Sequence, residues 1–278
     1  YLYTYNQLIF PDSRWENLQI EHELYCHGHL IEAAVSHFLV THDATLLETG
    51  IKAANLLVET FLGKGSLFTP GHEEIEIALL RLYEVSQNKL YHQLAFQFLD
   101  QRGKHKPFFF LLHMLSENKR VDKRTKHYRE RQNSFEKNIQ EQKKVTQVPS
   151  PNKIPPARFA KTRFLISALN GKYFQQHLPL TQQSIPVGHS VRFSYLQTAA
   201  AKYCRIDPSC EWLVSLQKSW THMVTKRMAV TGGIGSLPYS EGFGRDYELD
   251  PQTMYAETCA ALGTMFWNWE MSLLTSDA

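Results

Sequence analysis

Long apolar runs are missing from this chain. The nearest candidates, Pro107 to Ser116 and Thr258 to Trp269, fall short of the roughly 18 uncharged apolar residues that a bilayer span needs, so a membrane-spanning helix is not expected. Cysteine is scarce as well. Four in 278 residues (Cys26, Cys204, Cys210 and Cys259) make no disulfide framework, and reduced thiols are the expectation. Cys204 and Cys210 flank the Ile206-Asp207-Pro208 turn closely enough to meet, but a bond between them is not expected. The period-two alternation of a strand is nearly absent, which argues against an all-β fold. Tyr1-Leu2-Tyr3-Thr4 offers no initiator Met, basic n-region or cleavage site, and reads as the interior of a longer polypeptide. A cytoplasmic location is favoured, with a signal peptide further upstream left open.

The net charge of +3 belongs to one segment. Residues 117–148 hold ten Lys and Arg against five Asp and Glu, so the rest of the chain is slightly acidic. That segment is poor in large apolar residues and runs into the Pro-rich stretch Pro149 to Pro156. It reads as a flexible or loosely helical insertion at about 115–156, carrying solvated charge. Neither interleaved aromatics nor zinc-finger spacing accompanies it, so no nucleic-acid partner is expected.

What is present is helical. A 43% hydrophobic content suffices for one large domain or two small ones. Leu47, Ile51, Ala54, Val58 and Phe61 step by three and four after a cap at Asp43. Ile75, Leu79 and Leu82 repeat the pattern, as do Leu90, Leu94 and Phe98, then Val191, Tyr195 and Ala199, then Trp212, Leu216 and Trp220 after Asp207-Pro208. A last helix carries Tyr255, Cys259, Leu262, Phe266, Trp269 and Leu273 on one stripe. About seven such segments predict an all-α fold of successive helical hairpins.

The chemistry concentrates between Val230 and Cys259. Thr231-Gly232-Gly233-Ile234-Gly235-Ser236 precedes Glu241-Gly242-Phe243-Gly244 and Glu257-Thr258-Cys259, placing two carboxylates and a thiol near backbone that can approach a ligand closely. A carboxylic acid can protonate a leaving group, whereas a carboxylate and a thiolate can share a metal. On a regular helix Glu257 and Cys259 would stand about 200° apart and could not grip one ion. The chain around Glu257 is therefore expected to be extended, with the helix starting near Cys259, where its N-terminus would favour the thiolate. The alternative is that Cys259 is a small buried apolar residue. Thirteen histidines supply a second clue, because Gly28-His29, Gly71-His72 and Gly188-His189 fall at expected helix starts, with His177 before Leu178-Pro179. Neutral imidazoles there could hydrogen-bond sugar hydroxyls or merely cap helices.

These motifs together resemble glycoside hydrolase family 127, the β-L-arabinofuranosidases. Glu23-Leu24-Tyr25-Cys26-His27-Gly28-His29-Leu30-Ile31-Glu32-Ala33-Ala34, Thr69-Pro70-Gly71-His72-Glu73-Glu74-Ile75-Glu76 and Val187-Gly188-His189-Ser190-Val191-Arg192 carry the first part of the likeness. The Gly-Gly-Ile-Gly, Glu-Gly-Phe-Gly and Tyr255-Ala256-Glu257-Thr258-Cys259-Ala260 segments continue it in the family's order, with about residues 104–170 left uncovered.

The resemblance implies an (α/α)6 barrel, here incomplete across residues 1–278, an anomer-retaining mechanism and a Zn2+ site. It assigns Glu241 as general acid/base, Glu257 and Cys259 as zinc ligands, and His29, His72, His177 and His189 as the residues that hold the sugar. The implied substrate is an L-arabinofuranose-containing oligosaccharide or glycoconjugate. Two departures stand out: Ser240 replaces the usual glycine, and the basic insertion is longer than the family normally carries. The family's nucleophile is one of two adjacent cysteines, and this sequence contains no Cys-Cys pair. A catalytically inactive sugar-binding or structural helical fragment is accordingly the alternative reading. A different (α/α)6 enzyme, an unsaturated-glycan hydrolase using carboxylates alone, is a third.

Overall fold

The computed structural model describes residues 1–142 and 160–275, and the charged and Pro-rich residues 143–159 lie outside them. Among the described residues ten α-helices follow one another: α1 (Thr4–Ile9), α2 (Glu23–Thr41), α3 (Thr45–Phe61), α4 (Ile75–Ser86), α5 (Lys89–Asp100), α6 (Pro107–Gln142), α7 (Ala160–Leu169), α8 (Ser190–Ile206), α9 (Leu213–Lys226) and α10 (Thr258–Thr275). A short 3-10 helix at Leu180–Gln182 and isolated β-bridges accompany them, with no strand among the described residues, so the all-α expectation holds. None of these helices is long and apolar enough to cross a membrane.

Helical hairpins organise the first half. α2 turns into α3 through His42 and α4 into α5 through Gln87, both in the left-handed conformation that closes a helix C-terminus. Asp43 is not the cap of α3. It stands one residue earlier and accepts hydrogen bonds from the Thr45 amide and hydroxyl, at 2.8 and 2.7 Å. α4 packs on α2, α5 and α8, and α8 carries α10 along its length. Ile31, Ala54, Leu57, Leu79, Leu80, Leu94, Phe98, Leu196 and Trp267 are fully buried in the shared core. Each of the larger ones contributes about 1.5–3 kcal/mol by leaving water.

α8 departs from the expected one-sided stripe: every residue from Ser190 to Cys204 is buried, Arg192, Gln197 and Lys202 included. A helix enclosed on all sides is an axle for its neighbours, and its N-terminus points into the candidate site. α2 was not foreseen, and it places Gly28-His29 inside a helix rather than at a helix start. A Cβ at Gly28 would lie 2.5 Å from the Glu74 side chain, so the glycine marks a helix crossing.

The stripe predicted for α10 points the other way. Leu262, Phe266, Trp269 and Leu273 are 41–64% exposed, while Ala260, Gly263, Thr264, Trp267, Glu270 and Met271 face inward. The reason is steric: α10 lies so close to α8 that a Cβ at Gly263 would collide with Ser194, so the face carrying Gly263 is the one that fits there.

Cys204 and Cys210 form a disulfide, against the expectation of four reduced thiols. α8 ends at Ile206, and a turn with Cys210 N–H donating to Asp207 O at 3.1 Å brings the two Cα atoms to 5.0 Å. Cys26 and Cys259 are free.

The basic segment begins as a helix. Pro107 occupies the first position of α6, where its missing N–H is harmless, and neither Gly nor Pro follows before Gln142. Its first half is anchored: Glu117 Oε1 accepts from the Leu18 amide at 3.3 Å, and Arg124 pairs with Glu16 and Glu21 at 2.9 and 2.5 Å. Phe110, Met114 and Phe174 form a small second core that holds the loop after α7 against α6.

Candidate active site

Glu241 sits where the loop between α9 and α10 folds back onto α8. Leu237 and Gly242 pair as a short bridge, and Gly242 pairs again with His189. Between them Glu241 adopts a left-handed backbone, φ 49°, uncommon for a residue with a side chain. That conformation persists because the Glu241 carbonyl accepts from the Ser190 amide at 2.9 Å and the Ser190 hydroxyl at 2.7 Å.

The carboxylate is gripped as well. His189 Nε2 lies 3.2 Å from Oε2, and the Tyr255 hydroxyl donates to Oε1 at 3.3 Å. His189 is also the N-cap of α8, its Nδ1 accepting from the Val191 and Arg192 amides at 3.2 and 3.4 Å. An acceptor Nδ1 in a neutral ring leaves the proton on Nε2, so His189 donates to Glu241. Burial lowers the pKa of His189, keeping it neutral. The His189 bond in turn holds the Glu241 carboxyl below its ordinary value, and the 43% exposure of the side chain moderates the effect.

A His189→Asn substitution would separate these roles, since Asn can cap the helix but is too short to reach the carboxylate. The Glu241 carboxyl should then titrate at higher pH, read by carbon-13 NMR, with α8 destabilised by less than about 1 kcal/mol.

A cavity of about 250 Å³ lies beside this pair. His72, His189, Glu241, Glu257 and Cys259 all line it, so five of the seven residues expected at a site converge. Gly71 makes the placement of His72 feasible: its amide donates to Leu18 O at 2.8 Å, and a Cβ there would collide with the Gln19 backbone. The His72 ring stands 5.8 Å from His189 and 4.5 Å from Tyr25, and burial keeps it neutral.

His29 and His177 lie elsewhere. His29 pairs with Glu74 at 3.2 Å and lines a larger cavity of about 490 Å³ between α2, α4, α8 and α10. His177 is largely buried in the loop after α7, with a pKa pushed down to about 4 by burial and an Nδ1 without a partner. His22, Tyr25, Tyr173 and Arg192 also line the smaller cavity, unanticipated from sequence. Arg192 alone had a visible signal, as a charge three residues past Gly188-His189 in the first turn of a helix.

Glu257 and Cys259 meet at the start of α10, which begins at Thr258 near the expected place, but the chain before Glu257 is left-handed at Ala256, φ 45°, rather than extended. A hydrogen bond to Glu257, then burial, raises the Cys259 pKa, so the carboxylates outweigh the helix N-terminus that was expected to favour a thiolate. Glu257 Oε2 is buried without a hydrogen-bond partner. A thiol beside an orphaned carboxylate oxygen fits zinc in kind, but zinc sites use three or four protein ligands. Among the described residues no three His, Cys, Asp or Glu gather where they could hold a metal.

The fold is similar to those of solved glycosidase structures. A family 127 β-L-arabinofuranosidase from Geobacillus stearothermophilus T6 aligns with a TM-score of 0.75 and 33% identity over 100% of this chain and 37% of its own. A second structure, a family 127 β-arabinofuranosidase, aligns with a TM-score of 0.69 and 27% identity over 97% of this chain and 33% of its own. The family model for the catalytic domain of family 127 β-L-arabinofuranosidases matches residues 1–278, and the chain belongs to that family. Among curated proteins, the non-reducing end β-L-arabinofuranosidase of Bifidobacterium longum subsp. longum is 31% identical over 260 residues, which cover 93% of this chain. The chain spans about a third of the length of these relatives.

Proposed function

We propose that this chain supplies the acid/base half of a retaining β-L-arabinofuranosidase acting on glycans that end in L-arabinofuranose. Membership of the family supports the reading. The observation that carries it is the two-point grip on Glu241 at the rim of a cavity lined by neutral His72 and His189.

Glu241 would protonate the departing glycosidic oxygen and then take a proton from the incoming water. It rests ionised, so the proton must arrive with the ligand. A sugar covering the exposed carboxylate would strip its water and raise its pKa, against the pull of His189. His72 and His189 would orient the furanose hydroxyls. Glu257 and Cys259 would hold zinc, with further ligands from outside the described residues. When bound, zinc supplies the positive charge that keeps a cysteine thiolate available near neutral pH. The barrel arrangement of the helices belongs to the same proposal.

The test uses p-nitrophenyl β-L-arabinofuranoside with the chain and with a longer polypeptide containing it. Nitrophenol release by the longer form supports the reading, and binding without release by both forms favours the sugar-binding alternative. Metal analysis after dialysis should find zinc well below one per 278-residue chain, and stoichiometric retention would contradict the two-ligand count.

A further inference from the structure

One side chain spans the cavity floor and takes no part in the chemistry above. Arg192 leaves the first turn of α8 and is 5% exposed. Its Nη1 donates to the carbonyl of Gly71 and, at 3.4 Å, to that of Gln19. The guanidinium carbon lies 5.1 Å from the centroid of Tyr173 and 4.8 Å from that of Phe174, within cation–π range. Three segments distant in sequence therefore converge on one cation. Each delivers a lining residue: His22 three positions after Gln19, His72 immediately after Gly71, and Tyr173 itself.

The arrangement is costly. Arg192 Nε is buried without a partner, and an unsatisfied buried donor costs about 1–3 kcal/mol. A planar fork that donates while lying against aromatic faces cannot be replaced by the point charge of lysine. The positive charge also reaches the site, since it adds to burial in keeping His72 neutral.

We propose that Arg192 is a positioning residue, fixing His22, His72 and Tyr173 as a single wall beside His189 and Glu241. Only the consequence for sugar affinity rests on the glycosidase reading; the ordering of the wall does not.

Arg192→Met and Arg192→Lys test it, with His222 as a remote control on α9. Nitrogen-15 NMR of the imidazoles at fixed pH should show His22 and His72 shifted or broadened in both variants and His222 unchanged. Methyl β-L-arabinofuranoside should bind about tenfold more weakly to both, the loss expected when a pre-organised wall becomes mobile. Wild-type His22 and His72 signals in the lysine variant would overturn the proposal, even if the methionine variant failed to fold. Shifted rings with no sugar binding by the parent chain would instead sustain the positioning role and defeat the glycosidase reading.

Discussion

Glu241→Gln should lower kcat/KM on an aryl β-L-arabinofuranoside by about a thousandfold in a polypeptide that carries this chain and turns the substrate over, within the range usual for general acid–base catalysis. The substitution is gentle. The amide oxygen of Gln can accept from His189 Nε2, and the Tyr255 hydroxyl can turn from donor to acceptor toward the amide nitrogen. The bonds from the Ser190 amide and hydroxyl reach only the backbone carbonyl of residue 241, so the left-handed turn should persist. Thermal unfolding should therefore match the parent while turnover falls. Activity within a factor of a few of the parent would remove Glu241 from the acid/base role.

The second large effect is on stability. Arg102 is fully buried, with Nη1 2.8 Å from Glu73 and Nη2 2.9 Å from Glu76, and Nη2 donates to Pro70 O at 2.8 Å. This cluster lies under the loop that presents His72. Arg102→Met would leave two carboxyl groups and a carbonyl buried without their cation, at a cost of about 3–5 kcal/mol. Urea denaturation should show a fall in midpoint with little change in slope. Adding Glu73→Gln and Glu76→Gln should restore part of the loss, because neutral amides are cheaper to bury than unpaired charge. A single variant as stable as the parent would mean that water reaches this cluster.

Six helices could be read from the chain, α3, α4, α5, α8, α9 and α10, because apolar residues at helical spacing are visible locally. α3, α5 and α9 each bury one stripe, and α4, buried continuously from Ile75 to Leu80, and α8, buried on all sides, still show enough of one in sequence to be recognised. α2 escaped because its inward face mixes Leu24, Ile31, Ala34 and Val35 with buried Glu23 and His27, which blurs the periodicity. α10 was found, but with its faces exchanged, since periodicity reports a stripe and not its partner. In the site, the start of α10 beside Glu257 and Cys259 was legible from helix geometry, whereas their role as metal ligands came only from the family resemblance. His22, Tyr25 and Tyr173 were invisible because long-range contacts bring them together; Arg192 reaches Gln19 across 173 positions. His29 belonged to a matching motif yet faces the other cavity, because motif membership does not say which side of a helix a residue occupies.

The cap on α8 ties secondary structure to protonation. Nδ1 of His189 can serve the Val191 and Arg192 amides only while the helix keeps its first turn. Fraying of that turn frees Nδ1 to compete for the proton that Nε2 presents to Glu241. Helix opening and tautomer exchange are then two descriptions of one equilibrium, and hydrogen exchange at those amides becomes a clock for how long the carboxylate keeps its donor.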